Sequence, residues 1–106
     1  MLIVEAQIMF NKQNLSHDLS TNNILRPAFN FGRDLLFSGN ISVDQNIKIL
    51  ERNKWYEVII ELPTIQEEVY YHIQDLINIG NTFYMHRASK VLGEGIIINF
   101  LFDTDD

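Results

Sequence analysis

The chain has 106 residues, a length that fits one domain with a real hydrophobic core. Its 46% hydrophobic and 21% charged residues exclude intrinsic disorder, and the absence of cysteine removes disulfides, thiol nucleophiles and cysteine-based zinc sites. Fourteen acidic residues against eight Lys and Arg give a net charge of −6, a field that disfavours polyanions unless the few bases gather on one face.

The opening stretch alternates, with Leu2, Val4, Ala6, Ile8 and Phe10 on one side and Glu5 and Gln7 on the other, which predicts a half-buried strand. It has no basic region and meets Glu5 early, so it reads as a strand and not as a signal peptide. No run approaches the ~18 apolar residues of a membrane-spanning helix, and a cytoplasmic protein without membrane partners is the expectation. Asn11–Asn23 is polar and aperiodic, the pattern of a long surface loop.

Arg26–Ser42 holds two strand-like runs. Pro27 lacks an N–H and is expected to start a strand at an edge, Phe29 and Phe31 share a face, Gly32 breaks the run, and Leu35–Phe37 resumes it. Gly39-Asn40 supplies a bulge or corner before Ile41 and Val43. Ile47–Leu50 alternates briefly, Asn53-Lys54 marks a turn, and Trp55–Leu62 is the clearest strand, with Tyr56, Val58, Ile60 and Leu62 opposing Glu57, Ile59 and Glu61.

After Pro63 the period changes. Thr64 and Glu67 have capping-box spacing, apolar residues recur at Ile65, Val69, Ile73, Leu76 and Ile77, and Gly80 suits the C′ position, predicting a helix of about four turns near residues 65–79. Phe83–Ala88 is a further strand. Gly93 and Gly95 are expected to flank a turn or bulge into Ile96–Phe102, with Ile96, Ile98, Phe100 and Phe102 on one side, and Asp103, Asp105 and Asp106 form a solvated acidic end. One domain over 1–106, mainly β, is predicted: a small six-stranded antiparallel barrel with one inserted helix.

Four segments carry a family resemblance. RPAFNFG with SGNIS downstream, YEVIIELPTI at Tyr56–Ile65, FYMHRASKVLGEGIII at Phe83–Ile98 and EAQIMFNK near the start are similar, in order and approximate spacing, to the third, C-terminal β-barrel domain of the elongation factor Tu family. The resemblance implies a stand-alone Greek-key barrel. It leaves the helix outside, as an insertion. No GxxxxGK[ST] motif exists to cradle a nucleotide phosphate chain, so no GTPase activity is expected. No cofactor is expected either.

In that family the barrel touches the T-stem of aminoacyl-tRNA through a Gln, a Thr and a Gly-Gly turn. The matching positions here are Ala28, Ser38 and Ala88-Ser89, so the Gln is lost and a hydroxyl kept. Arg87, with His86 and Lys90, makes a local basic spot fit for a phosphate, and Arg26 and Arg33 are expected at the same barrel end. Arg26, Arg33, Ser38, His86, Arg87 and Lys90 are therefore the candidate partner or RNA surface. Tyr70 and Tyr71, consecutive on the helix and unable to face inward together, are the candidate interaction pair.

Enzymatic chemistry finds no support in the spacing. His17, His72 and His86 form no metal or triad pattern; Ser16-His17-Asp18 is contiguous where triads are assembled from distant segments, and His72 with Asp75 lacks further metal ligands. A non-enzymatic protein-interaction module is the leading expectation, possible forms being a decoy or immunity-type partner, and tRNA or RNA binding is the alternative.

Overall fold

The computed structural model describes residues 1–23 and 26–104. Among them are nine strands, with one short α-helix between the seventh and eighth: β1 Leu2–Phe10, β2 Leu19–Ser20, β3 Ala28–Asn30, β4 Leu36–Ser38, β5 Asn40–Ser42, β6 Ile49–Leu50, β7 Trp55–Leu62, α1 Glu67–Ile73, β8 Thr82–Arg87 and β9 Lys90–Phe102. Seven strands form one antiparallel sheet in the order β4-β3-β8-β9-β1-β7-β5, curled as a half-barrel, and β2 pairs with β6 apart from it.

The two strands with strict alternation, β1 and β7, take the bounds their sequence predicts and pair along their length, from Leu2 opposite Leu62 to Met9 opposite Trp55. Their inward residues close the core, where Leu2, Val4, Ala6, Ile8, Ile60 and Leu62 are fully buried. Phe29, Phe31 and Phe83 pack together at centroid distances of 5.3–6.4 Å, the favoured range for ring pairs.

Gly39 separates β4, which pairs with β3, from β5, which pairs with β7, so a single bent segment contributes to both ends of the strand order. A Cβ at Gly39 would stand 2.7 Å from the Phe29 ring and 3.1 Å from the Glu61 carbonyl; glycine is what lets this corner lie against the core.

Several expectations are corrected. Pro27 sits immediately before β3, outside the ladder, and β3 is not an edge strand, since it pairs with both β4 and β8. Gly93 and Gly95 lie inside the continuous β9; the turn falls at Ala88-Ser89. A side chain at Gly95 would run into the Phe83 ring, and one at Gly93 into the Met9 carbonyl, so both glycines serve close packing. A bulge opposite Glu5 and Ala6 shifts the alternation of β9, turning Ile97 inward with Phe100 and Phe102 in place of Ile96 and Ile98. The loop after β1 contains β2 and sends Leu15 into the core.

The inserted helix is shorter than predicted. Thr64 does not cap it: the Ile65 amide donates to the Leu62 carbonyl in a tight turn, and Gln66 is the N-cap residue with its side-chain amide donating to the Pro63 carbonyl at 2.6 Å. At the other end the chain tightens into a 3₁₀ turn at Gln74–Leu76 that ends at Ile77, whose amide donates to the Gln74 carbonyl. Asn78 Nδ2 donates to the Asp75 carbonyl and Asn81 Nδ2 to the Leu76 carbonyl, satisfying acceptors that a longer helix would satisfy itself. Ile65, Ile73 and Ile77 nevertheless reach the core, so burial and not continued helix sets their spacing. Gly80, at φ 90°, forms a turn whose amide donates to the Ile97 carbonyl and is not the C′ residue of the helix.

At the chain's other end the Asp103 amide donates to the Met1 carbonyl. Asp105 and Asp106 of the expected acidic end lie outside the described residues. No described helix is long and apolar enough to cross a membrane.

Candidate functional site

The strand register decides which candidate residues meet. Ala28 pairs with Ser38 on one side and His86 on the other, giving a cross-strand row Ser38–Ala28–His86. Phe29, Phe37 and Met85 occupy the next row, and Phe29 and Met85 are buried, so the row before it stands on the outer face. Arg87 pairs with Lys90 across the Ala88-Ser89 turn, beside a hollow of about 340 Å³ lined also by Asn14 and Leu92. The Asn14 side-chain amide donates to the Val91 carbonyl at 2.7 Å and ties the loop after β1 to this hairpin. Arg26, exposed, precedes β3 at the same end.

Arg33 does not join them. It lies beyond Asn30, at the opposite end of β3, in a turn where Gly32, Arg33 and Asp34 all have positive φ. There its guanidinium pairs with Asp75 and donates to the His72 carbonyl at 3.0 Å. A Cβ at Gly32 would stand 3.0 Å from the Leu76 side chain, so the β3–β4 turn lies close against the helical segment. His86 presents less to solvent than its position suggests, because its Nε2 is enclosed, without a hydrogen-bond partner among the described residues.

The two tyrosines divide. Tyr70 stacks on Phe102 with ring centroids 4.3 Å apart and planes 4° from parallel, fastening α1 to the end of β9. Tyr71 is 58% exposed, and its hydroxyl donates to Glu67 one turn earlier.

Two of the carboxylates weighed as chemical groups, Asp18 and Asp75, are held by arginines. Asp18 accepts from the Arg52 amide and its Nε, at 3.0 and 2.9 Å, and the Arg52 backbone and side-chain bonds together hold the Asp18 carboxyl below its ordinary range. Asp75 is held by Arg33. Among the described residues no three His, Asp or Glu side chains gather as a metal site would require.

A second surface emerges from the register of the long strands. On the outer face of β9, β1 and β7, Leu101 pairs with Ile3, and Asn99 with Glu5, which in turn pairs with Ile59. Leu101 is 61% exposed and Ile59 40%. The outward acids of these strands are Glu5, Glu57, Glu61 and Glu94, and Leu2–Phe10, Trp55–Leu62 and Val91–Phe102 contain no Lys, Arg or His. In the sequence this surface leaves one mark: Ile59, apolar at an outward position between two glutamates.

No protein-family model matches the chain, and no curated protein matches it.

Proposed function

We propose that the chain is a non-enzymatic protein-interaction module of the cytoplasm, built on a stand-alone six-stranded Greek-key barrel of the elongation factor Tu C-terminal type. The observation that carries the interaction reading is the outer face of β9, β1 and β7, where large apolar side chains stand exposed among carboxylates. Two features favour the barrel reading. The bent segment through Gly39 contributes to both ends of the strand order, so that counting it once leaves six strands in the main sheet. The quoted family-like strings fall on β1, on β3 to β5, on β7, and on β8 with β9.

A decoy or immunity-type role, occupying a surface otherwise contacted on the elongation factor, is the form this reading favours. Affinity capture from a native extract is expected to recover a protein partner above a control resin. Recovery of none would remove the reading.

The row Ser38–Ala28–His86 beside Arg87 and Lys90 favours one alternative, binding of tRNA or other RNA at the β8–β9 hairpin. Such binding is electrostatic and should weaken steeply with salt; no retention of tRNA at low salt would eliminate it.

A further inference from the structure

We infer that the outer face of β9, β1 and β7 is the docking surface of the module, and that its occupant is a cationic amphipathic segment of another protein. The inference rests on the protein-interaction reading and adds to it a place and a partner chemistry.

Two adjoining hollows define the surface. One, of about 120 Å³, is lined by Ile3, Glu5, Ile59, Asn99, Phe100 and Leu101. The other, of about 360 Å³, continues across β7 to the chain beyond β5 and is lined by Glu57, Val43 and Asp44 among others. Glu5 and Ile59, paired across β1 and β7, line both, so the two hollows adjoin on either side of this pair. Leu101, Ile3, Ile59 and Val43 supply the apolar lining of the two hollows, and Glu5, Glu57 and Asp44 their charge.

The lining contains no Lys, Arg or His, and the ion pairs found among the described residues, Arg33–Asp75, Arg52–Asp18 and Lys54–Glu51, leave these three carboxylates out. They consequently project negative potential over an apolar lining.

That combination selects among occupants. Nucleic acid and anionic lipid are repelled by the carboxylates, and a second copy of the chain would set this acidic face against a molecule of net charge −6. A segment with apolar side chains on one face and Lys or Arg beside them matches both features: its apolar residues seat on Ile3, Ile59 and Leu101 while its cations reach Glu5, Glu57 and Asp44.

The test uses the full chain, isotope-labelled for NMR, and three synthetic peptides of equal length: a Leu/Lys amphipathic helix, its Leu/Glu counterpart, and a Ser/Lys peptide of the same charge. The Leu/Lys peptide is expected to shift amides around Glu5, Ile59 and Leu101 saturably. The Ser/Lys peptide should bind on the order of tenfold more weakly and the Leu/Glu peptide not at all. Reversing Glu5→Lys and Glu57→Lys together should weaken Leu/Lys binding on the order of tenfold or more and admit the Leu/Glu peptide, with the rest of the spectrum retained.

Shifts confined to Tyr71 and Ile79, both exposed away from this face, equal binding of the Ser/Lys peptide, or indifference to charge reversal would each overturn the assignment. So would a dimer in sedimentation that Ile59→Asp dissolves, because the face would then belong to a second copy. Capture from a native extract separates the two readings. A partner retained by the charge-reversed variant refutes this surface and leaves the module intact, whereas no partner for the wild type refutes the module while the peptide titration still decides the face.

Discussion

Ile59 and Ile60 are neighbours on β7 with the same side chain and opposite surroundings. Ile60 is fully buried between the inward residues of β1 and β5, and Ile59 is 40% exposed between Glu57 and Glu61. The contrast extends over the sheet: the inner face is a continuous apolar core, and the outer face of β9, β1 and β7 mixes apolar residues with carboxylates that form no ion pair among the described residues. Apolar character alone therefore does not mark a fold-determining residue. Its phase along the strand does.

Truncation on each side breaks or sharpens that comparison. Ile60→Ala should cost about 4 kcal/mol, because a fully enclosed site cannot collapse around the missing atoms. Ile59→Ala should change stability by less than about 0.5 kcal/mol while weakening partner binding. Urea unfolding of the two variants decides the point: comparable losses would mean that the outer face is structural and not a free surface.

Next in size is the inner-face contact of Gly95. Its neighbour Phe83 is buried, so the ring has nowhere to retreat from an added methyl group. Gly95→Ala should lose about 3 kcal/mol in thermal or urea unfolding. Combining it with Phe83→Leu should cost less than the sum of the single changes, since the smaller side chain vacates the colliding volume. Strict additivity would show that the glycine serves something other than this packing.

The legibility of the sequence follows the same division. β1 and β7 were readable to the residue because every inward position is apolar and no irregularity interrupts them. β9 was not, because the bulge that turns Ile97 inward depends on pairing with β1, a partner distant in sequence. The helix was overextended because a period of three to four residues persists through Ile77. In the structure that period is a record of core contacts made successively by a tight turn, a short helix and a 3₁₀ turn. Of the candidate surface residues, Ser38, His86, Arg87 and Lys90 gather through strand register, while the length of β3 separates Arg33 from them. The acidic outer face spans three strands, so only its central residue, Ile59, leaves a mark in local sequence.

Weaker effects are expected where the helix meets the sheet. Arg33 and Asp75 are both about half exposed, and a double-mutant cycle of Arg33→Ala with Asp75→Ala should return a coupling of about 0.2–1 kcal/mol that declines with added salt. Arg33→Ala also frees the His72 carbonyl, so its single effect should exceed that of Asp75→Ala. Equal single effects would assign the anchoring wholly to the ion pair.

The smallest expected effect appears only on acidification. Arg52 holds Asp18 with its amide and Nε and donates through Nη1 to the Leu15 carbonyl at 2.8 Å, clamping the loop that buries Leu15 to the turn ahead of β7. These bonds favour the carboxylate, so the folded protein titrates Asp18 below the ordinary value of 3.8. The resulting stabilisation is fully present above that value and is lost as pH falls through the lower folded one. The stability difference between wild type and Asp18→Asn should thus be constant near neutrality and shrink below about pH 4. Amide exchange at Leu15 should quicken in Asp18→Asn at neutral pH, because the clamp holds a loop and not the sheet. A difference that persists undiminished into strong acid would show that Asp18 acts through its shape alone, and would place the loop with the inner face, insensitive to charge.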